Sequence, residues 1–180
     1  MDGLERASLR EVADEAGLAV GSVRHYFDGS DELLRFSFAA VVDRIVARLA
    51  AALPAMAASD PGSDARHAAV LTLLGEFLPL DEERAVDTCV WMAFKNAARI
   101  RPFLAPEADR SHREVAAVVG QVMTALVSGD GGGRQSLTVE AERLLATLDG
   151  LCMHALLQPA WITAQMCHDV LDRHVRSLAG

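Results

Sequence analysis

The chain has 180 residues, enough for one or two small domains, and 51% of them are hydrophobic while only 5% are aromatic. Its net charge of −8, with one lysine (Lys95) and sixteen arginines against 25 acids, argues as a whole-molecule average against a nucleic-acid partner, because non-specific DNA affinity comes largely from cations that neutralise phosphates. The longest apolar stretch, Val115 to Val127, is too short for a bilayer and is broken by Gly120 and Gln121, and the N-terminus has no signal-peptide pattern, so a cytoplasmic protein with no membrane partner is expected.

The Ala- and Leu-rich composition favours helices, and alternating β-branched runs are almost absent, so the expected fold class is all-α. Ser8 opens an apolar-periodic run that Gly17 closes, the expected punctuation of a helix. Leu18-Ala19-Val20 is a short turn, and a second short helix runs from about Gly21 to Phe27. After Asp28-Gly29-Ser30, a long helix begins with Asp31-Glu32, carries Leu34, Phe38, Val41, Val42, Ile45 and Leu49 on one broad face, and ends near Pro54. Residues 54–63 read as a loop. Helices are then expected over 64–78, from Asp81 to about Ile100, and over 107–127, with a joint at Pro102 and Pro106. The glycine-rich stretch 128–135 reads as a linker, and helices over 137–157 and 164–178 close the chain, the last capped by Thr163.

Cys89, Cys152 and Cys167 stand far apart and read as small buried hydrophobes, and no histidine has a partner at metal-ligand spacing, so no metal or cofactor is expected. The glycines at 129–133 lack the lysine and the preceding strand of a phosphate loop. No nucleophile elbow or zinc-protease motif occurs, so no catalytic residue is assigned and an enzyme is not expected.

Residues 8–34, SLREVADEAGLAVGSVRHYFDGSDELL, place two short helices around a tight turn, the second polar in character. In a helix-turn-helix the second helix enters the major groove, where arginine reads guanine edges and serine bonds several bases. Ser22 and Arg24 are the candidates for base contact, and His25 and Tyr26 for phosphate. Ser8, at a helix start, could bind a phosphate through its backbone amide.

This stretch closely resembles the DNA-binding domain of TetR-family repressors, above all in Leu9-Arg10-Glu11-Val12-Ala13, Ala16-Gly17 and His25-Tyr26-Phe27 followed by Asp31-Glu32-Leu33-Leu34. The resemblance implies a reading domain over residues 1–47 and a ligand-binding and dimerisation domain over 48–180. It also implies a further helix before the motif. Only Met1 to Arg6 stand there, so that first helix is read as missing. Ser30 stands where the family carries a lysine, which leaves one implied phosphate contact without its cation.

Val90-Trp91-Met92-Ala93-Phe94, Arg101-Pro102-Phe103 and Leu148 to Leu157 resemble the C-terminal domain of a BetI-like subgroup. The implied partners are a double-stranded DNA operator, a small-molecule effector and a second copy of the chain. Leu144, Leu148, Leu151 and Ala155 form one stripe on the helix over 137–157, and Cys167, Leu171, Val175 and Leu178 another on the helix over 164–178. These stripes either make a homodimer interface or bury into their own subunit. Trp91, Phe94, Lys95, Phe103, Met123 and His154 are the candidate ligand-lining residues, with plain core packing as the competing reading of each. The function expected is a ligand-responsive repressor. The alternative is an all-helical ligand-binding or dimerisation protein that has lost DNA binding.

Overall fold

A computed structural model describes residues 8–126 and 134–178. The expected missing helix at Met1 to Arg6 and most of the expected linker at 128–135 fall outside the described residues. The fold is all-α, with no strand among the described residues. Its helices are α1 (Leu9–Glu15), α2 (Val20–Tyr26), α3 (Ser30–Ala58), α4 (Asp64–Gly75), α5 (Glu82–Ala98), α6 (Ala105–Leu126), α7 (Arg134–Leu157) and α8 (Ala164–Leu178), with a 3-10 turn at Pro102–Leu104.

The helix starts follow from side-chain oxygens that accept otherwise unpaired backbone amides. Ser8 Oγ accepts from the amide of Glu11 at 3.2 Å, Ser63 Oγ from Arg66 at 3.1 Å, Asp81 Oδ1 from Arg84 at 2.8 Å and Thr163 Oγ1 from Met166 at 3.2 Å. Gly17 ends α1 with φ +65°, a left-handed conformation that only glycine adopts cheaply.

α3 differs from the expectation. It does not stop near Pro54 but runs through it to Ala58, so the loop is 59–63. Pro54 is exposed, so solvent can take the carbonyl its missing N–H leaves free, and Met56 beyond it is buried and anchors the last turn. α4 is shorter than expected, ending at Gly75, and successive turns carry the chain to buried Leu78.

α3 is the spine, with α4, α5 and α6 packed against it; α8 packs on α4 and α7, and α7 on α5 and α6. Two clusters of buried side chains result. The larger joins Val41, Ile45 and Leu49 of α3 with Leu73 and Leu74 of α4, Val119 and Val122 of α6, and the inward rows of α7 and α8. The smaller lies toward the start of α3, where Leu34, Phe38 and Val42 meet Phe94, Ala97 and Leu104.

Ion pairs stitch the same joints. Asp87 of α5, 1% exposed, accepts from Arg44 Nη2 at 2.6 Å and Arg48 Nη1 at 2.8 Å, both on α3. Burial pushes its carboxyl pKa up, but the bonds from Arg44 and Arg48 more than offset this and hold it below the ordinary carboxylate range. Asp172 of α8 lies 2.7 Å from His67 of α4 and 2.9 Å from Arg176, and its pKa is drawn down to about 2 by the bonds from Arg176 and His67.

The two closing stripes point inward. Leu144, Leu148 and Leu151 of α7 and Cys167, Leu171 and Val175 of α8 are buried within their own subunit, with Ala155 and Leu178 packed against them, so the stripe expected as an interface is core. The reason is supply: these two helices cover the open faces of α4, α5 and α6, which leaves those rows no second partner. A different row is left outside, formed by Val139, Met153 and Leu157 of α7, Trp161 in the following turn, and Met166 and Val170 of α8. Among the described residues, no helix is long and apolar enough to cross a membrane.

Candidate nucleic-acid interface and sensing cleft

α2 buries one residue, half-buries Val20 and turns the others out. Val23 is buried against the head, while Ser22, Arg24, His25 and Tyr26 are all exposed, Tyr26 by 76%. The His25 and Tyr26 rings meet edge to face at 5.5 Å, which orients two hydrogen-bonding groups side by side. Phe27 leaves the helix half-buried against Phe36 of α3, ring centroids 5.3 Å apart, and the amide of Asp28 donates to Glu32 at 2.7 Å. These contacts fix the angle at which α2 leaves α3.

The charge objection has a local answer. α1 carries Glu11, Asp14 and Glu15, but α2 has no acid, and its last turn holds Arg24 and His25. The exposed helix is therefore free of acids and carries Arg24 within an acidic head, and the presented face governs DNA contact more than the average does. Ser8 serves as the cap of α1. Its hydroxyl is engaged with Glu11, and the amides of the first turn stand at the positive end of the helix.

Of the six candidate lining residues, two line a cleft. Trp91 and Lys95 of α5 face Ser111 and His112 of α6 and Glu142 and Asp149 of α7 around a cleft of about 340 Å³. A separate narrow cavity of about 40 Å³ shares Trp91, Val115, Leu145 and Asp149 with it and is also lined by Ile45, Thr88, Leu148 and Cys152. The outer cleft falls in the volume range of small-molecule sites, and half of its lining is polar or charged, namely Lys95, Ser111, His112, Glu142 and Asp149. Lys95 Nζ donates to Asp149 Oδ2 at 2.7 Å and lies 5.5 Å from the centre of the Trp91 ring. The Cys152 thiol donates to the carbonyl of Phe77 at 3.1 Å, and burial pushes its pKa up to about 12, so it stays a neutral wall.

The other four stand elsewhere. Phe94 is buried and stacked on Phe38, Phe103 packs half-buried beside the same small cluster, and Met123 is sealed in the larger one. His154 is neither core nor lining: it lies on the exposed side of α7 and lines neither cavity. Sequence reasoning missed Asp149 and Glu142. Asp149 carried a usable signal, a lone acid between Leu148 and Leu151 in an otherwise apolar row.

Known proteins match this arrangement along nearly the whole chain. The family described as bacterial regulatory proteins of the tetR family matches residues 2–35, and the BetI-type transcriptional repressor C-terminal family matches residues 66–180. The HTH-type transcriptional regulator PksA of Bacillus subtilis (strain 168) is 33% identical over 177 residues, covering 98% of this chain and 82% of that protein. The HTH-type transcriptional regulator BetI of Vibrio parahaemolyticus is 24% identical over 178 residues, covering 96% and 84%. A transcriptional regulator from Rhodococcus sp. Rha1 has a crystal structure that superposes with a TM-score of 0.78 at 30% identity, covering 97% of this chain and 86% of that one. The chain is thus a helix-turn-helix transcriptional regulator and belongs to the TetR family, with a C-terminal domain of the BetI type.

Proposed function

We propose that the chain is a cytoplasmic repressor that binds a double-stranded DNA operator as a homodimer and releases it when a small molecule occupies the cleft. Residues 1–47 form the reading head and residues 48–180 the sensing and pairing part. The observation that carries this reading is α2, which buries Val23 alone and turns Ser22, Arg24, His25 and Tyr26 to solvent. Ser22 and Arg24 reach base edges; His25, Tyr26 and the start of α1 at Ser8 hold phosphates.

The outer row of α7 and α8 supports pairing. Val139, Met153 and Leu157 share one face of α7, and Met166 and Val170 share one face of α8, all exposed in the single subunit. Exposed apolar residues lined up on helix faces suit an interaction surface, and a two-fold pair would space two copies of α2 at about one DNA turn, roughly 34 Å. In the cleft, Trp91 and Lys95 meet the effector.

The test begins with duplexes selected by the wild-type protein from a random-sequence pool. Arg24→Ala is expected to weaken binding to the selected duplex by roughly 1–3 kcal/mol in gel-shift titration. Unchanged affinity removes Arg24 from base reading. A wild-type protein that selects no duplex is a ligand-binding protein without DNA function.

A further inference from the structure

We propose that Trp91 is the switch residue of this regulator: an occupant of the cleft presses on its indole, and the indole moves the reading head through Phe38. The inference rests on the proposed ligand response and names its route. Three observations converge on this one side chain. Trp91 walls both the outer cleft and the narrow cavity. Its ring lies nearly parallel to that of Phe38, centroids 5.9 Å apart at an angle of 25°. Among the described residues, it is the side chain that packs against both hydrophobic clusters.

Phe38 is 1% exposed and sits on α3 two turns after the point where α2 joins it, so an indole pushed toward it meets packed side chains. The small cluster around Phe38 must repack, and its α3 members, Leu34, Phe38 and Val42, belong to the half of α3 that carries the head.

Asp87 supplies the pivot. It lies one turn before Trp91 on α5 and holds Arg44 and Arg48 of α3 at 2.6 and 2.8 Å. Sliding α5 along α3 would break both bonds to a buried carboxylate. The response is therefore confined to the half of α5 beyond the clamp, which holds Trp91, Phe94 and Ala97. Lys95 is the latch of the empty state. Its ammonium lies over the indole and is tied across the cleft to Asp149, so a ligand entering between α5 and α7 must displace it.

Two measurements decide the matter, both with a duplex selected by the wild-type protein from a random pool. Filling the cleft by Ala146→Trp should weaken duplex binding at least fivefold, in the range of ordinary coupling. In a Phe38→Leu background the same filling should change binding less than twofold. Equal effects in both backgrounds overturn the proposal, since cleft and head would then be coupled by another route. His112→Trp, which fills from α6, replaces Ala146→Trp if that variant does not melt cooperatively. The second measurement needs no filling. Trp161→Phe leaves Trp91 as the sole tryptophan, and saturation with duplex should shift its emission, because coupling between two sites is reciprocal. Duplex bound with Trp91 emission unmoved overturns the route but leaves the repressor reading intact. Failure of the wild type to select any duplex overturns that reading and this inference together.

Discussion

The reading head and the helical body solve opposite problems with the same kind of element. α1 and α2 each bury a single residue, Ala13 and Val23, and present nearly everything else to solvent. α3, α6 and α8 bury rows of Leu, Val and Met and join into a continuous core. A surface meant to be read cannot also be buried, so the head depends on its attachment to α3 for order, and the body supplies the stability of the chain.

The comparison can be broken most directly by cavities. Leu144→Ala, at a position with no exposure, should lower global stability by about 2–5 kcal/mol in denaturant unfolding. Val23→Ala should cost about 1–2 kcal/mol, from two lost carbon groups, and should open α1 and α2 in hydrogen exchange while leaving the body protected. A Val23→Ala variant whose body exchanges as fast as its head would show that the two regions are one cooperative unit.

Asp87→Asn tests the joint between them. Arg44 is half exposed and can rehydrate, so the cost should be about 1–3 kcal/mol, below that of a fully enclosed pair. The sign with pH follows from the lowered pKa. The contribution of Asp87 is present above the ordinary carboxylate range and is lost as pH falls through its depressed folded value. Melting temperature plotted against pH should therefore fall less steeply on the acid side in Asp87→Asn. A slope equal to that of the wild type would mean that Asp87 does not titrate with folding.

The outer row of the body is the exception to the rule of burial. Leu157, 71% exposed, should tolerate Asp with an unchanged monomer core, while self-association in sedimentation weakens at least tenfold, about 1.4 kcal/mol. Unaltered association would place the pairing surface elsewhere. The smallest expected effect is again in the head. Ser8→Ala removes the cap of α1 and should cost about 1 kcal/mol, read as faster amide exchange at Glu11 and its neighbours alone.

The parts of this molecule legible in its sequence are those governed by local chemistry. Ser8, Gly17, Asp81 and Thr163 mark helix ends because each satisfies a backbone group within a few residues of itself. The polar character of α2 was likewise visible, since Ser22, Arg24, His25 and Tyr26 are consecutive or nearly so. What depended on distant partners was not legible. A 3.6-residue period says that Leu144, Leu148 and Leu151 share a face, but not whether a neighbour in the same chain or another chain covers it. α7 carries apolar residues on both sides, and only packing decides that Leu148 goes in and Leu157 stays out. Pro54 misled for a related reason. Its helix-breaking chemistry is real, yet a solvated carbonyl and the buried Met56 beyond it outweigh that cost.

One feature of α3 constrains how such a protein can change over time. Its 29 residues form a single rod about 43 Å long that passes from head to body without a hinge loop. Rotational phase is thereby transmitted along it. One inserted residue near the middle would turn the head by about 100° relative to the body and advance it by about 1.5 Å, aiming α2 away from any duplex its twin still faces. Insertions of seven nearly restore the phase. Length variation in α3 should therefore be tolerated, if at all, only in whole-turn steps, and heads exchanged between relatives should work only when spliced in helical register.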